Sequence, residues 1–470
     1  MVESSLEYPP RIFQELNDFF ETPGRSLLIK GEAGTGKTTL ALTLVEYITS
    51  FRHSKPAKKE AQTAVYVSSR VPEDFIKRQF PWVAFVNGHF KDTRLASAAM
   101  FVEELASALR KETQVVVLDS WDAFAKETDY ITRLKTEKAL HAMAATSKSN
   151  LVFVAEEAAS STLDYLVDGI VQLSLQEVEG RTIRVCAFRK LRSAKIVFPF
   201  SVYTLSGAKF CQFKRFREPD FSRAAPIEPI GDFRGRYSLG TGQLDRVFGG
   251  IPYGASVVVE YTSEVPDSAV WLTSTALQMN FILQGRGVLL VPPLSSSRQL
   301  YREALEQGVG PERFRKLVRI FSEAGKGSRQ TGAPSRLDKS YFEGGITLDE
   351  SIDATERALA TLAKSSKDGR VLGVRSVNVL ESRYGADRQS LVRILARRIG
   401  EAHVTGSPVV TLIQTDSELC SQIVGMSHMH FKLLSRFGTV FIMGVRPYTP
   451  LYEFAPDEHN PLIPSIAELV

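Results

Sequence analysis

Gly31-Glu-Ala-Gly-Thr-Gly-Lys37-Thr38 is the stretch that decides the fold of the amino-terminal half of this 470-residue chain. It matches the phosphate-binding pattern G-x-x-x-x-G-K-[ST] in full. An apolar run at 26–30 precedes it and an amphipathic stretch follows it, as a strand–loop–helix unit requires. Glycines let successive backbone N–H groups face phosphate oxygens, and the helix N-terminus adds partial positive charge. The loop therefore predicts a site for ATP or a close relative.

Individual residue types suit separate parts of a Mg²⁺–ATP complex. Lys37 is expected to bridge the β- and γ-phosphates, and the Thr38 hydroxyl is expected to bind Mg²⁺. Val115-Val-Val-Leu-Asp119 has the pattern of a buried strand ending in an acid, so Asp119 is predicted to hold the metal through water. The alternative role for Asp119 is to cap the next helix. The predicted nucleotide contacts are Gly31, Glu32, Ala33, Gly34, Thr35, Gly36, Lys37, Thr38 and Thr39.

Short apolar runs alternate with longer amphipathic stretches, which predicts an α/β fold with a mainly parallel sheet. The predicted strands are 26–30, 64–67, 114–118, 151–154 and 169–173, and the predicted helices are 38–50, 73–80, 94–110 and 132–146. Two further runs, at 184–188 and 195–205, are predicted to close the sheet as an antiparallel pair.

The second half repeats this pattern at an offset of 230 residues, because the run at 26–31 aligns with the run at 256–261 (256 − 26 = 230). Later apolar runs follow in the same order at 287–291, 408–413 and 439–443. We therefore predict two tandem domains, 1–224 and 225–470, with a basic linker in 206–230 and an insertion loop at 324–348. The alternative is that any two α/β domains resemble each other this loosely.

The second copy is expected to be degenerate. At the same offset Lys37 corresponds to Asp267 and Thr38 to Ser268. A carboxylate in place of the lysine repels phosphate, so this domain is not expected to bind a triphosphate.

Composition places the chain among soluble globular proteins. Three distant cysteines, Cys186, Cys211 and Cys420, argue against disulfides and a zinc site, and favour the cytoplasm. No apolar run is long enough to span a bilayer, and residues 1–10 lack a basic stretch followed by an apolar one, so no secretory signal is expected. A net charge of +5 permits contact with nucleic acid without requiring it.

Further motifs, in order, resemble the KaiC branch of the RecA-type ATPases. They are Phe153-Val-Ala-Glu156, Val167-Asp-Gly-Ile-Val-Gln-Leu173, Phe188-Arg-Lys190-Leu-Arg192 and the glycine-rich stretch 237–254. The resemblance implies tandem RecA-like domains and a homo-oligomer, such as a hexamer, with nucleotide at the subunit interfaces. It also implies that Lys190 and Arg192 reach a neighbour's phosphates. From the residues alone, these cations can equally form a solvated basic strand.

Three further stretches are Ser68-Ser-Arg-Val71, Gln79-Phe-Pro-Trp82 and Asp119-Ser-Trp-Asp122. They resemble the archaeal GvpD-type regulators of gas-vesicle genes, which is a narrower likeness within the same group.

The chain departs from the KaiC pattern after the second strand, where that family carries adjacent glutamates. Here the stretch is Tyr66-Val-Ser-Ser-Arg70-Val71, so Arg70 either contacts phosphate or ends a solvated strand. Glu73 and Asp74 can substitute for the missing glutamates or can charge the next helix. Glu156 and Glu157 are a further candidate pair for positioning the attacking water. Loss of a positioned base lowers hydrolysis by roughly 10²–10⁴. We therefore expect ATP to be held and hydrolysed slowly.

Three functions remain open on this basis. The first is a nucleotide-gated regulator that acts through its second domain on a protein partner such as a transcription regulator. The second is a DNA-acting RecA-type motor, supported by the basic and aromatic stretch Lys214-Arg-Phe-Arg217. The third is a KaiC-like kinase, for which the sequence nominates no acceptor.

Overall fold

The computed structural model describes residues 13–51, 64–85, 88–94, 97–110, 113–156, 162–293, 298–323, 340–345 and 347–470. These fall into two compact units. The first runs to Phe213 and includes Leu469–Val470, and the second spans Lys214–Glu468. The division between them falls inside the stretch 206–230. No helix of the described ranges is long and apolar enough to cross a membrane.

The first unit is a sheet flanked by helices. Its strands are β1 (Ser26–Gly31), β2 (Ala64–Ser68), β3 (Gly88–Asp92), β4 (Val115–Asp119), β5 (Asn150–Glu156), β6 (Gly169–Val178), β7 (Arg181–Leu191), β8 (Phe200–Thr204) and β9 (Cys211–Gln212). Its helices are α1 (Gln14–Phe20), α2 (Lys37–Glu46), α3 (Glu73–Gln79), α4 (Ala98–Arg110), α5 (Trp121–Glu127), α6 (Tyr130–Ser147) and α7 (Thr162–Leu166). The strand order is β3-β2-β4-β5-β1-β6-β7-β8-β9.

The central strands explain why this order is stable. β1, β4 and β5 are rich in Val and Leu and almost wholly buried, as strands covered by helices on both faces must be. One core cluster joins them to α2, and another joins them to α4 and α6. Strands β1 to β6 pair in parallel, whereas β6 to β9 pair antiparallel. The carboxyl ends of β1, β4 and β5 therefore lie along one edge.

The second unit has the same architecture. Its strands are β10 (Arg236–Tyr237), β11 (Ile251–Pro252), β12 (Ser256–Tyr261), β13 (Gly287–Val291), β14 (Val318–Glu323), β15 (Tyr341–Gly344), β16 (Val371–Ser376), β17 (Val409–Gln414), β18 (Met429–Arg436), β19 (Thr439–Arg446), β20 (Leu451–Pro456) and β21 (Pro464–Glu468). Its helices are α8 (Gly242–Phe248), α9 (Asp267–Leu283), α10 (Arg298–Val309), α11 (Pro311–Leu317), α12 (Leu348–Ser365), α13 (Val377–Tyr384), α14 (Arg388–Thr405) and α15 (Cys420–Gly425).

Strand order confirms the prediction of two tandem RecA-like domains. The large sheet of the second unit runs β15-β14-β13-β16-β17-β12-β18-β19-β20-β21, which is the order of the first sheet with one extra edge strand, β15. Strand register supports the offset of 230, because Gly31 pairs with Glu156 and Tyr261 pairs with Gln414. The two halves therefore share topology as well as sequence pattern.

One sequence-based expectation needs correction. Of the predicted insertion loop 324–348, residues 324–339 lie outside the described residues, but Tyr341–Gly344 forms β15 and α12 begins at Leu348. The predicted linker is mostly ordered, because Cys211–Gln212 closes the first sheet while Phe216 and Ile227 pack against the core of the second unit. Apolar contacts that are distant in sequence order both segments. Strand β3 was not predicted from the sequence.

Candidate nucleotide-binding site

The loop between β1 and α2 has a backbone that its glycines make possible. Gly31 has φ +155°, and a Cβ there would lie 2.4 Å from the carbonyl oxygen of Leu173. Gly36 is the N-cap of α2 at φ +90°, and no side chain of the described residues caps that helix. The first N–H groups of α2 have no acceptors within the helix. The loop and helix end therefore form a cradle that suits phosphate oxygens.

Lys37 lies inside this loop. Its Nζ donates hydrogen bonds to the carbonyl oxygens of Gly31 at 2.6 Å and Glu32 at 2.8 Å. Burial lowers the pKa of Lys37, although the charges of Glu156 and Asp119 oppose that change. A phosphate group would offer the ammonium charged acceptors in place of neutral ones. The predicted contacts Glu32, Ala33 and Gly34 are exposed at the crest of the loop, while Thr35 and Thr39 are buried.

Thr38 and Asp119, the two predicted metal residues, are in direct contact. The Thr38 hydroxyl donates to Asp119 Oδ2 at 2.5 Å. The hydroxyl of Tyr66, at the middle of β2, donates to the same oxygen at 2.5 Å. Burial, and then the nearby Asp119 carboxylate, raises the pKa of Tyr66 well above its usual value, so Tyr66 remains a donor. A hydroxyl and a carboxylate are hard oxygen donors, which fits Mg²⁺.

The alternative role of Asp119 as a helix cap does not agree with this geometry. The N-cap of α5 is Ser120, and the Asp119 carboxylate is engaged by Thr38 and Tyr66. Parallel pairing places the end of β4 beside the loop that follows β1, through the intervening strand β5. Asp119 therefore lies beside Thr38 at the phosphate loop, and its role as a metal ligand stays a prediction.

Glu156, a candidate for positioning the attacking water, forms an ion pair with Arg70. The hydrogen bond and the charge of Arg70 lower the pKa of Glu156. Arg70 follows β2, where the KaiC resemblance leads one to expect a glutamate, so a cation replaces a carboxylate there. Glu157 lies outside the described residues. Glu73 begins α3 and pairs with Lys77 at 2.8 Å.

Lys190 and Arg192 lie away from the P-loop of their own chain. Lys190 pairs in register with Ile170, and Ile170 pairs with Leu28, three residues before Gly31 on β1. That spacing corresponds to about 10 Å along the strand. Lys190 Nζ donates to the carbonyl oxygen of Asp164 at 3.0 Å, and Arg192 Nη1 lies 3.5 Å from Asp168 Oδ1. Action on a neighbouring subunit stays a prediction.

Comparison with known proteins agrees with this geometry. Residues 16–189 match the family model described as the GvpD gas vesicle protein, P-loop domain. The first unit is therefore similar to the P-loop domain of GvpD gas vesicle proteins over most of its length. Protein GvpD2 of Halobacterium salinarum is 26% identical over 96% of this chain and 95% of its own length. Protein GvpD1 of the same organism is 25% identical over 68% of this chain and 65% of its own length.

The first unit also contains contacts that could not be predicted from the sequence. Arg184 Nη1 donates to the carbonyl oxygen of Gly34 at 2.8 Å, and the Tyr203 hydroxyl donates to the carbonyl oxygen of Thr35. Both residues come from the antiparallel strands β7 and β8. A single arginine or tyrosine in such a strand carries no sequence signal that distinguishes it from a surface residue. These contacts and that of Tyr66 brace the loop and the metal residues.

The equivalent place in the second unit has lost the nucleotide chemistry. Helix α9 begins at Asp267 with Pro266 as its N-cap, so a carboxylate replaces the lysine and one N–H donor is missing. Ser376 takes the place of Asp119, because Asp119 pairs with Val154 and Ser376 pairs with the equivalent Leu412. The geometry of the second unit is therefore not that of a P-loop site.

Proposed function

We propose that this chain is an ATP-binding regulator of gas-vesicle formation whose first unit acts as a slow nucleotide switch. The proposal rests on two features that occur together. One is a complete P-loop with Thr38 and Asp119 in contact beside it, and the other is a Glu156 carboxylate whose charge is neutralised by Arg70. Lys37, Thr38 and Asp119 supply what binding of Mg²⁺–ATP needs, whereas Glu156 is paired with Arg70. Bound ATP would then persist long enough to set a conformational state.

Slow hydrolysis follows from the chemistry of the attacking water. A carboxylate that positions or deprotonates water acts best when it is free and its pKa is near the working pH. Arg70 forms an ion pair with Glu156 and lowers the pKa of its carboxyl, so the carboxylate is a weaker base. We expect turnover below about 1 s⁻¹, near the lower edge of ordinary enzymes.

The biological context rests on the likeness to GvpD proteins. We infer that the chain works in the cytoplasm and passes its nucleotide state to a protein partner, such as a transcription regulator. The second unit is the candidate surface for that partner, since its own loop lacks the phosphate-binding residues. We also infer a homo-oligomer in which Lys190 and Arg192 reach a neighbour's nucleotide.

Equilibrium titration with Mg²⁺–ATP tests the proposal on the full chain. We expect one nucleotide per chain, and we expect Lys37→Ala to weaken binding by about tenfold or more, the loss of a charge-assisted hydrogen bond. Lys77→Ala is the matched control, because Lys77 is an exposed lysine of α3 paired with Glu73. Two nucleotides per chain, undiminished binding by Lys37→Ala, or turnover well above the expected limit would refute it.

A DNA-acting motor is supported less well by the basic stretch that suggested it. Phe216 packs against the core of the second unit, so its ring is not free to stack on a base, and Lys214 pairs with Glu458. DNA titration at two salt concentrations separates the two functions. A steep salt dependence together with DNA-stimulated hydrolysis would favour the motor.

A further inference from the structure

The second unit contains a cavity of about 330 Å³ between its sheet and two helices. The floor is formed by β13, β16 and β17, and the walls by α12 and α14. Apolar side chains dominate the lining, including Leu289, Val291, Ile352, Leu359, Leu391 and Leu395. This volume is at the small end of the roughly 300–1,000 Å³ typical of small-molecule sites. We refer to it as the α12–α14 cavity.

Strand β16 leaves space on the face that lines the cavity. Val371, Gly373 and Arg375 line it, whereas Leu372 belongs to the main core of the unit. A Cβ at Gly373 would come no nearer than 3.8 Å to its neighbour, Val409 Cγ2. Glycine is unfavourable inside a strand, and at Gly373 the missing side chain leaves the strand backbone accessible from the cavity.

Arg375 is the unusual residue in this lining. Arg375 is only 8% exposed to solvent, and its Nε donates a hydrogen bond to Thr411 Oγ1 at 3.1 Å. Its Nη2 is buried without a hydrogen-bond partner in the described part of the chain. Burial, and then the charge of Arg398, lowers the pKa of Arg375 to about 10, so the guanidinium stays protonated at neutral pH. A buried cation without a partner is expensive unless an anion joins it.

The second arginine that lines the cavity is already neutralised. Arg398 Nη2 lies 3.2 Å from Glu356 Oε1 on α12, and Arg398 Nη1 lies 2.8 Å from Glu401 Oε2 on α14. Glu356 also lies 3.0 Å from Arg397, so this network joins the two helices that form the cavity walls. The charge that remains to be balanced in the cavity is therefore the single positive charge of Arg375.

We propose that the α12–α14 cavity binds an amphipathic monocarboxylate, such as a medium-chain fatty acid, with its carboxylate on Arg375 and its chain among the apolar side chains. One uncompensated guanidinium selects a single negative charge, and guanidinium geometry matches carboxylate oxygens. The apolar lining selects a hydrocarbon chain. The site lies wholly within the second unit, so it goes beyond the nucleotide switch and does not depend on it.

Calorimetry of the full chain with decanoate and with decanol tests this site. We expect one decanoate per chain, and we expect decanol, which has the chain without the charge, to bind about ten- to hundredfold more weakly. Arg375→Met keeps the side chain long and apolar, and it should remove the preference for decanoate while decanol still binds. Removing a buried unpaired charge should leave the protein folded.

Gly373→Leu provides a second, independent variant. Its side chain would enter the cavity from a strand position with room for it, so both ligands should lose binding while the melting temperature is kept or raised. Gly400→Leu, at an exposed position of α14 with open space around it, is the matched control and should bind as the natural chain does. Absence of decanoate binding, equal affinity for decanol, or binding that survives both variants would overturn the proposal. Lys37→Ala should leave decanoate binding unchanged, which separates this result from the nucleotide test.

Discussion

Arg70→Gln should speed ATP hydrolysis, because it releases Glu156 from its ion pair. The substitution keeps a polar side chain of similar length and removes the charge that lowers the pKa of the Glu156 carboxyl. The freed carboxylate can then approach the water beside the γ-phosphate, since Glu156 pairs in register with Gly31 at the start of the loop.

The size of the gain follows from how exposed the pair is. The side chains of Arg70 and Glu156 are 53% and 37% exposed. Ion pairs of that kind contribute about 0.2–1 kcal/mol, which corresponds to a rate change of about 1.4- to fivefold. We therefore expect a modest increase, much smaller than the effect of a fully positioned base.

Single-turnover hydrolysis at saturating Mg²⁺–ATP measures this change without interference from product release. Arg78→Gln removes the same charge from an exposed position of α3 and serves as the control. The double variant Arg70→Gln with Glu156→Gln should lose the gain. A lower rate with weaker ATP binding would instead show that Arg70 contacts phosphate. A gain that survives loss of the Glu156 carboxylate would refute the reasoning.

Three further predictions concern the same domain. Tyr66→Phe removes a hydrogen bond to Asp119 Oδ2 and should weaken Mg²⁺-dependent ATP affinity by about fivefold or more, with little effect in EDTA, as measured by fluorescence titration. Burial lowers the pKa of Lys37 from 10.5, and ATP binding needs the ammonium form, so ATP affinity should reach half of its neutral-pH value below pH 10.5. Calorimetry from neutral to alkaline pH that places this midpoint at or above pH 10.5 would contradict the prediction. Arg192→Ala should reduce ATP-promoted assembly in sedimentation, and assembly that ignores both ATP and the variant would exclude a role between subunits.

Local sequence was enough to predict the phosphate loop, the alternation of strands and helices and the repeat of the two halves. A P-loop depends on consecutive residues, because the glycine dihedral angles and the start of α2 are set within eight positions, Gly31 to Thr38. The repeat was visible because the buried strands keep the same apolar runs in the same order. The replacement of the P-loop lysine by Asp267 in the second unit could also be predicted from the sequence. The 230-residue offset that aligns Lys37 with Asp267 agrees with the strand register of the two sheets.

Contacts between distant residues needed the folded sheet. Thr38 and Asp119 are 81 positions apart, and Arg70 and Glu156 are 86 apart. Their meeting depends on strand order and register, which bring the ends of β1, β2, β4 and β5 to one edge. Packing across strands and helices, and not neighbours along the chain, decides which side chains become partners. This explains both the Arg70–Glu156 ion pair and the unpaired guanidinium of Arg375 in the α12–α14 cavity.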